Sequence, residues 1–156
     1  MTAGRATARV LATWFGCGYF PWGPGTVGSA AALAIAIAAT RTGNVPPWWF
    51  GVFAIATVPV CIWACGMEAD TSGRKDPGHI VLDEVIGQWI TLAPAATLDT
   101  RSALIAFALF RVLDITKPQP ARRFEALPSG IGIMADDVMA GIYGALVMAL
   151  IRFTSI

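Results

Sequence analysis

Carboxylates stand in three polar islands between long apolar runs: residues 68–84 (EADTSGRKDPGHIVLDE), 114–120 (DITKPQP) and 130–137 (GIGIMADD). Glu68, Asp70, Asp76, Asp83, Glu84, Asp114, Asp136 and Asp137 make up eight of the chain's ten acidic residues. The chain is 56% hydrophobic and only 13% charged. Charges beside apolar helices are costly unless they pair, bind a metal or face water. This placement points to an oxygen-ligand cation site at a membrane surface.

Asp83 and Glu84 open an apolar run, where negative charge favours a helix dipole. One carboxylate suffices for capping, and here two stand together, with Gly87 and Gln88 one turn further on. Asp136 and Asp137 repeat the arrangement before the last run, with Gly141 a turn below Asp137. Two acidic pairs at two helix starts suit shared divalent cations. Magnesium prefers oxygen ligands and keeps water or phosphate in its remaining positions. Surface capping is the competing reading for each pair. Glu68 and Asp70 fall at the end of an apolar run, where negative charge opposes the dipole, so helix stability does not account for them.

Arg111 and Asp114 are three apart and share a helix face, and Lys117 follows before Pro118 and Pro120. Either the Arg–Asp pair neutralises itself, or Arg111 and Lys117 bind phosphate while Asp114 binds metal. Residues 18–29 (GYFPWGPGTVGS) place glycines, prolines, Thr26 and Ser29 directly before an apolar helix. Such a segment can aim backbone N–H groups and hydroxyls at a phosphate. It lacks the Gly-Lys-Ser/Thr ending of a P-loop. A plain structural turn, with Thr26 or Ser29 as N-cap, is the alternative.

His79 is the only histidine, which rules out a phosphatase that uses one histidine as nucleophile and another as acid. No Cys-x5-Arg and no Asp-x-Asp-x-Thr/Val nucleophile motif is present. Covalent phosphoenzyme routes thereby lose their usual carriers. Metal-assisted attack by water remains, with carboxylates as ligands and one as base.

These groups must be positioned by helices. Apolar runs at 27–40, 45–66, 85–98, 102–115 and 138–153 give five helical candidates, and nothing alternates like strands. Pro59 should kink the second. Residues 2–14 fit a short amphipathic surface helix rather than a cleaved signal peptide. The chain's 156 residues suit one domain or one helical bundle. A mean hydropathy of +0.63 suits an integral membrane protein. A net charge of +1, with no basic run interleaved with aromatics, excludes a nucleic-acid surface. Cys17, Cys61 and Cys65 sit in apolar surroundings and read as packing residues. Several runs are short: fourteen helical residues reach about 21 Å against a hydrocarbon core of roughly 30 Å.

If all five runs span, the three acidic islands and the Gly/Pro segment fall on one side. That side also holds Arg5, Arg9, Arg74, Lys75, Lys117, Arg122 and Arg123, against Arg41, Arg101 and Arg152 on the other. The excess of cations makes it the cytoplasmic side.

Four segments, GYFPWGPGTVGS, DPGHIVLDEVIGQW, FRVLDITKPQP and GIGIMADDVMAG, closely resemble the signature segments of the phosphatidylglycerophosphatase A family, in its order and spacing over residues 16–144. The apolar runs and the chain's hydropathy give an all-α, membrane-embedded bundle of about five helices, with the active-site loops on one face. With the resemblance, its place is a bacterial cytoplasmic membrane. Some members of the wider family are soluble all-helical proteins, so the membrane placement rests on this chain's own hydropathy. The resemblance implies a magnesium-dependent phosphatase that converts phosphatidylglycerol phosphate to phosphatidylglycerol, with membrane lipids as surroundings. Family motif positions carry over to Pro24, Gly25, Thr26, Asp76, Asp83, Glu84, Arg111, Asp114, Lys117, Pro118, Asp136 and Asp137. On this reading Glu68, Asp83, Glu84, Asp114, Asp136 and Asp137 hold Mg2+, and Arg111 and Lys117 neutralise the phosphate. Gly25 and Thr26 orient it.

Two rival readings remain at this stage. A small transporter or ion-conducting bundle also places acids at helix ends, but along a path through the bilayer. A non-catalytic scaffold leaves the paired acids without a role. Gly141 and Gly144 on the last run suit close helix packing, including packing in a homo-oligomer.

Overall fold

A computed structural model describes residues 2–154. Those residues form seven α-helices and one 3-10 turn, with no strand among them. The helices are α1 (Ala3–Ala12), α2 (Pro24–Gly43), α3 (Trp48–Ser72), α4 (Leu82–Leu92), α5 (Thr100–Thr116), α6 (Ala121–Phe124) and α7 (Ser129–Thr154); the turn is Cys17–Tyr19. The all-α expectation holds, but the count of about five does not. The five apolar runs became α2, α3, α4, α5 and α7. The amphipathic N-terminal segment is α1, and the four-residue α6 follows the Pro118/Pro120 exit, too short to show any periodicity.

Local chemistry sets most boundaries. Pro24 opens α2 at its first position, where a missing N–H costs nothing. Asn44 closes α2 and Gly73 closes α3, both in the left-handed conformation. Pro59 lies inside α3 without ending it. Asp99 caps α5 by accepting the Ser102 backbone N–H at 2.7 Å. Lys117 ends α5 at a φ of 44°, ahead of Pro118. Pro94 follows two residues after α4, which stops at Leu92 rather than continuing to residue 98.

The start of the last helix differs most. It begins at Ser129 rather than at residue 138, so Asp136 and Asp137 lie within the helix and not at its start. Glycine is a poor helix former, which made residues 130–137 read as a loop. Packing overrides that preference. A Cβ on Gly130 would run into the Ile62 carbonyl of α3, and one on Gly132 into the Leu127 carbonyl. The two glycines let α7 pass against its neighbours at backbone distance.

α4 is the central strut, packed on α2, α3, α5 and α7. All of its residues but Glu84 are buried. Trp89 donates its indole N–H to the Ala32 carbonyl of α2 at 2.9 Å. Gly141 and Gly144 press α7 onto α4: their Cβ atoms would meet the Gly87 carbonyl and Thr91 Oγ1, each at 2.7 Å. These small residues are therefore used inside the chain. Eleven residues make α4 about 17 Å long, too short to cross a bilayer. Two helices, α3 and α7, are long and apolar enough to cross one.

Gly87→Ala tests this packing, because its Cβ would strike the Phe110 ring and the Asp137 carbonyl. Destabilisation of about 1–3 kcal/mol is expected from overpacking. Thermal unfolding in detergent should show a clear fall in Tm, whereas Gly4→Ala, which meets nothing within 4 Å, should leave Tm unchanged.

Candidate active site

A cavity of about 310 Å³ opens where the starts of α2, α4 and α7 meet the ends of α3 and α5. Its walls include Gly23, Pro24, Gly25, Lys75, Asp76, Asp83, Glu84, Arg111, Asp114, Lys117, Glu125, Asp136 and Asp137. All three polar islands thus contribute to one cavity. Residues more than 100 positions apart are brought together by the alternating helix directions.

Asp83, Glu84 and Asp137 each present a carboxylate oxygen within 4.8 Å of the other two. Asp83 is 8% exposed and Asp137 is 4% exposed. Asp83 Oδ1 and Glu84 Oε2 are buried without a hydrogen-bond partner. Burial first, then the Glu84 and Asp137 charges, raise the Asp83 carboxyl well above the ordinary range. Burial also raises Glu84, against an opposing hydrogen bond from Asp83 and with a further push from the Asp114 charge. Three converging carboxylates, two of them with an orphaned oxygen, are what a hard divalent cation satisfies. The donor set fits magnesium: oxygen only, few protein ligands, and open space beside them.

Asp114, Asp136 and Glu125 lie against cations. Arg111 Nη1 donates to Asp114 Oδ2 at 2.6 Å and reaches Ser29 Oγ at 3.5 Å. Lys117 Nζ donates to Asp136 Oδ2 at 2.6 Å, with Glu125 3.7 Å away. Burial disfavours the Lys117 ammonium, yet the Asp136 hydrogen bond and charge outweigh it and raise its pKa. The cavity therefore has a cationic wall held by two carboxylates and an anionic wall of three. Arg111 Nε remains without a partner.

Gly25 joins the two walls. A Cβ there would collide with Glu84 Oε1 and come within 3.3 Å of Arg111 Nη1. Only glycine lets the α2 start lie against both groups. Thr26 is exposed and does not line the cavity, because α2 already begins at Pro24 and turns that side chain outward. Glu68 also lies outside the lining. It is buried, accepts from Arg9 Nε at 3.1 and 3.2 Å, and sits 3.0 Å from His79 Nε2. Sequence reasoning passed over Glu125 and Ser129 as cavity groups. Both lie outside the acidic islands, and neither carried a spacing signal.

Comparison with known proteins gives the family. The phosphatidylglycerophosphatase A family model matches residues 10–152. The chain belongs to that family. It is 37% identical to the phosphatidylglycerophosphatase A of Escherichia coli strain K12, covering 92% of this chain and 82% of that protein. It is 38% identical to the phosphatidylglycerophosphatase A of Haemophilus influenzae strain Rd, covering 93% and 88%. A Bacteroides thetaiotaomicron protein, provisionally named a phosphatidylinositol-3-phosphatase, is 33% identical over 92% of each chain. No solved structure matches. In family terms the matched span contains every residue of the cavity wall.

Removing one charge from the acidic cluster has a signed consequence. Asp83→Asn relieves like-charge repulsion and desolvation in the metal-free protein, so its Tm should rise, by the equivalent of about 1–3 kcal/mol. Magnesium should raise the Tm of the wild type, and that rise should shrink sharply in this variant. Differential scanning fluorimetry with and without the ion measures both.

Proposed function

We propose that this protein is a magnesium-dependent lipid phosphatase that hydrolyses phosphatidylglycerol phosphate to phosphatidylglycerol and phosphate. The observation that carries the reading is the meeting, in one cavity, of three carboxylates, two of them with an unpartnered oxygen, and two cations held by carboxylates of their own. Family membership supplies the substrate class, since two relatives are named phosphatidylglycerophosphatase A.

Asp83, Glu84 and Asp137 would hold the ion. When bound, magnesium supplies positive charge to the phosphoryl oxygens and lowers the pKa of water. The chain's own groups do the rest. Arg111 and Lys117 take the remaining phosphoryl charge, each oriented by its carboxylate partner, Asp114 and Asp136. The backbone at Gly25 lies against both walls and fixes where the phosphate sits. A carboxylate of the Asp83–Glu84 pair accepts the proton of the attacking water. The bond from phosphorus to the lipid glycerol oxygen breaks opposite the attack, and the departing oxygen takes up a proton from solvent to give the glycerol hydroxyl and free phosphate. Burial keeps the charged groups strong, because little water competes for them.

The same reading places the molecule in a bacterial cytoplasmic membrane with α3 and α7 in lipid. Val52, Phe53, Ile55, Val60 and Trp63 of α3 and Leu146, Leu150 and Phe153 of α7 are all exposed. In water that apolar surface would be unfavourable; against acyl chains it is not. Arg74, Lys75, Arg122 and Arg123 lie near the cavity end, which makes that end cytoplasmic.

Phosphate release from phosphatidylglycerol phosphate in mixed micelles tests the roles. Asp83→Asn should reduce kcat by about 10³-fold or more, and Lys117→Met by about 10²-fold, as for loss of a preorganised charge. Retention of wild-type kcat by folded Asp83→Asn would remove the cluster from the mechanism.

A further inference from the structure

The segment between α1 and α2 is pinned on one side and presents aromatic rings on the other. Trp14, Phe15 and Gly16 take positive φ of 46°, 56° and 95°, a region that bulky side chains rarely adopt. Trp14 packs edge-on against Trp89 with ring centroids 5.5 Å apart. Tyr19 stacks on His79 at 5.6 Å, and Gly18 lies so near the His79 carbonyl that a Cβ would collide with it. The Val81 backbone N–H donates to the Ala12 carbonyl at 2.9 Å. Held this way, the segment leaves Phe15, Phe20 and Trp22 exposed at 71%, 49% and 81%. Trp22 directly precedes Gly23, Pro24 and Gly25 of the cavity wall.

Charge selects what covers these rings. The first carboxylate in the sequence is Glu68, so α1 and the aromatic segment carry no acidic group, and Arg5 of α1 is exposed. Around the cavity end Arg74, Lys75, Arg122 and Arg123 are exposed, against Asp70, Asp76 and Glu125. Net positive charge complements an anionic lipid surface, and aromatic rings settle at the boundary between headgroups and acyl chains.

We infer that Phe15, Phe20 and Trp22 form a wedge seated in the headgroup–acyl boundary of an anionic bilayer, at the mouth of the cavity. The wedge sets the depth of that mouth, so a lipid-borne phosphate enters without its lipid leaving the bilayer. This consequence for catalysis rests on the lipid phosphatase reading; the location of the wedge does not.

Two measurements test it on the full chain. In the first, a nitroxide is attached at Trp22→Cys in a Cys17→Ser background and the protein is placed in nanodiscs of phosphatidylglycerol and phosphatidylcholine. Cys61 and Cys65 are buried. The label should collide more with oxygen than with an aqueous nickel chelate, and a label at Arg74→Cys should show the reverse. Equal chelate exposure at both positions overturns the wedge. So does shielding of the Trp22 label that grows with protein concentration, which would mean a second copy covers it. In the second, phosphate release by the Phe15→Ser/Phe20→Ser/Trp22→Ser variant is compared on two substrates. KM for long-chain substrate in vesicles should rise about tenfold with kcat within about twofold, while kcat/KM for a water-soluble short-chain analogue stays unchanged. Equal losses on both substrates contradict the wedge. If wild type hydrolyses neither substrate, the phosphatase reading fails, and the label depth still decides the wedge.

Discussion

Like charges do not gather in a buried place without something to hold them there. Asp83, Glu84 and Asp137 share a few ångströms of space, with little water to hydrate them. Each loses solvation, and each raises the cost of ionising the others. The bundle holds them together through backbone contacts at glycine rather than through attraction among the carboxylates. Gly25 brings α2 against Glu84, Gly87 brings α4 against Phe110 and the Asp137 carbonyl, and Gly141 brings α7 against the Gly87 carbonyl. The strain of the cluster is thus met by packing elsewhere, and Asp83 Oδ1 and Glu84 Oε2 are left without a partner.

Two further carboxylates are used differently. Asp114 and Asp136 sit beside Arg111 and Lys117. A cation facing a phosphate must keep its charge and its aim, and a close acidic partner supplies both. The site therefore separates into an anionic wall and a cationic wall, which under the proposed function take a metal and a phosphoryl group respectively. The outlying Glu68 serves a third purpose. It joins α1, through Arg9, to the end of α3 and, through His79, to the loop that leads into Asp83.

Much of this was legible in the chain. The five long helices follow from apolar runs broken by Pro, Gly and charge, and their alternation alone brings the islands to one end. The start of α7 was not legible, because Gly130 and Gly132 argue against a helix locally and only contact with α3 and with residues 125–127 makes them useful. Nor was the division of the acids. Glu68 looks like its neighbours in sequence, and only Arg9, 59 residues away, distinguishes it. Thr26 looked like a phosphate hydroxyl until Pro24 fixed where α2 begins and turned it outward. α4 read as one run among five, whereas burial on every side makes it the shared partner of the others.

Under the proposed function, the acidic cluster holds a metal that the phosphatase reaction requires. The most direct measurement follows wild-type protein acting on phosphatidylglycerol phosphate in detergent, with phosphate and lipid product both quantified. Magnesium should support equal release of phosphate and phosphatidylglycerol. Excess chelator should stop both, and added magnesium should restore them. Undiminished turnover in chelator, or no turnover by folded protein with lipid and magnesium present, would contradict the account.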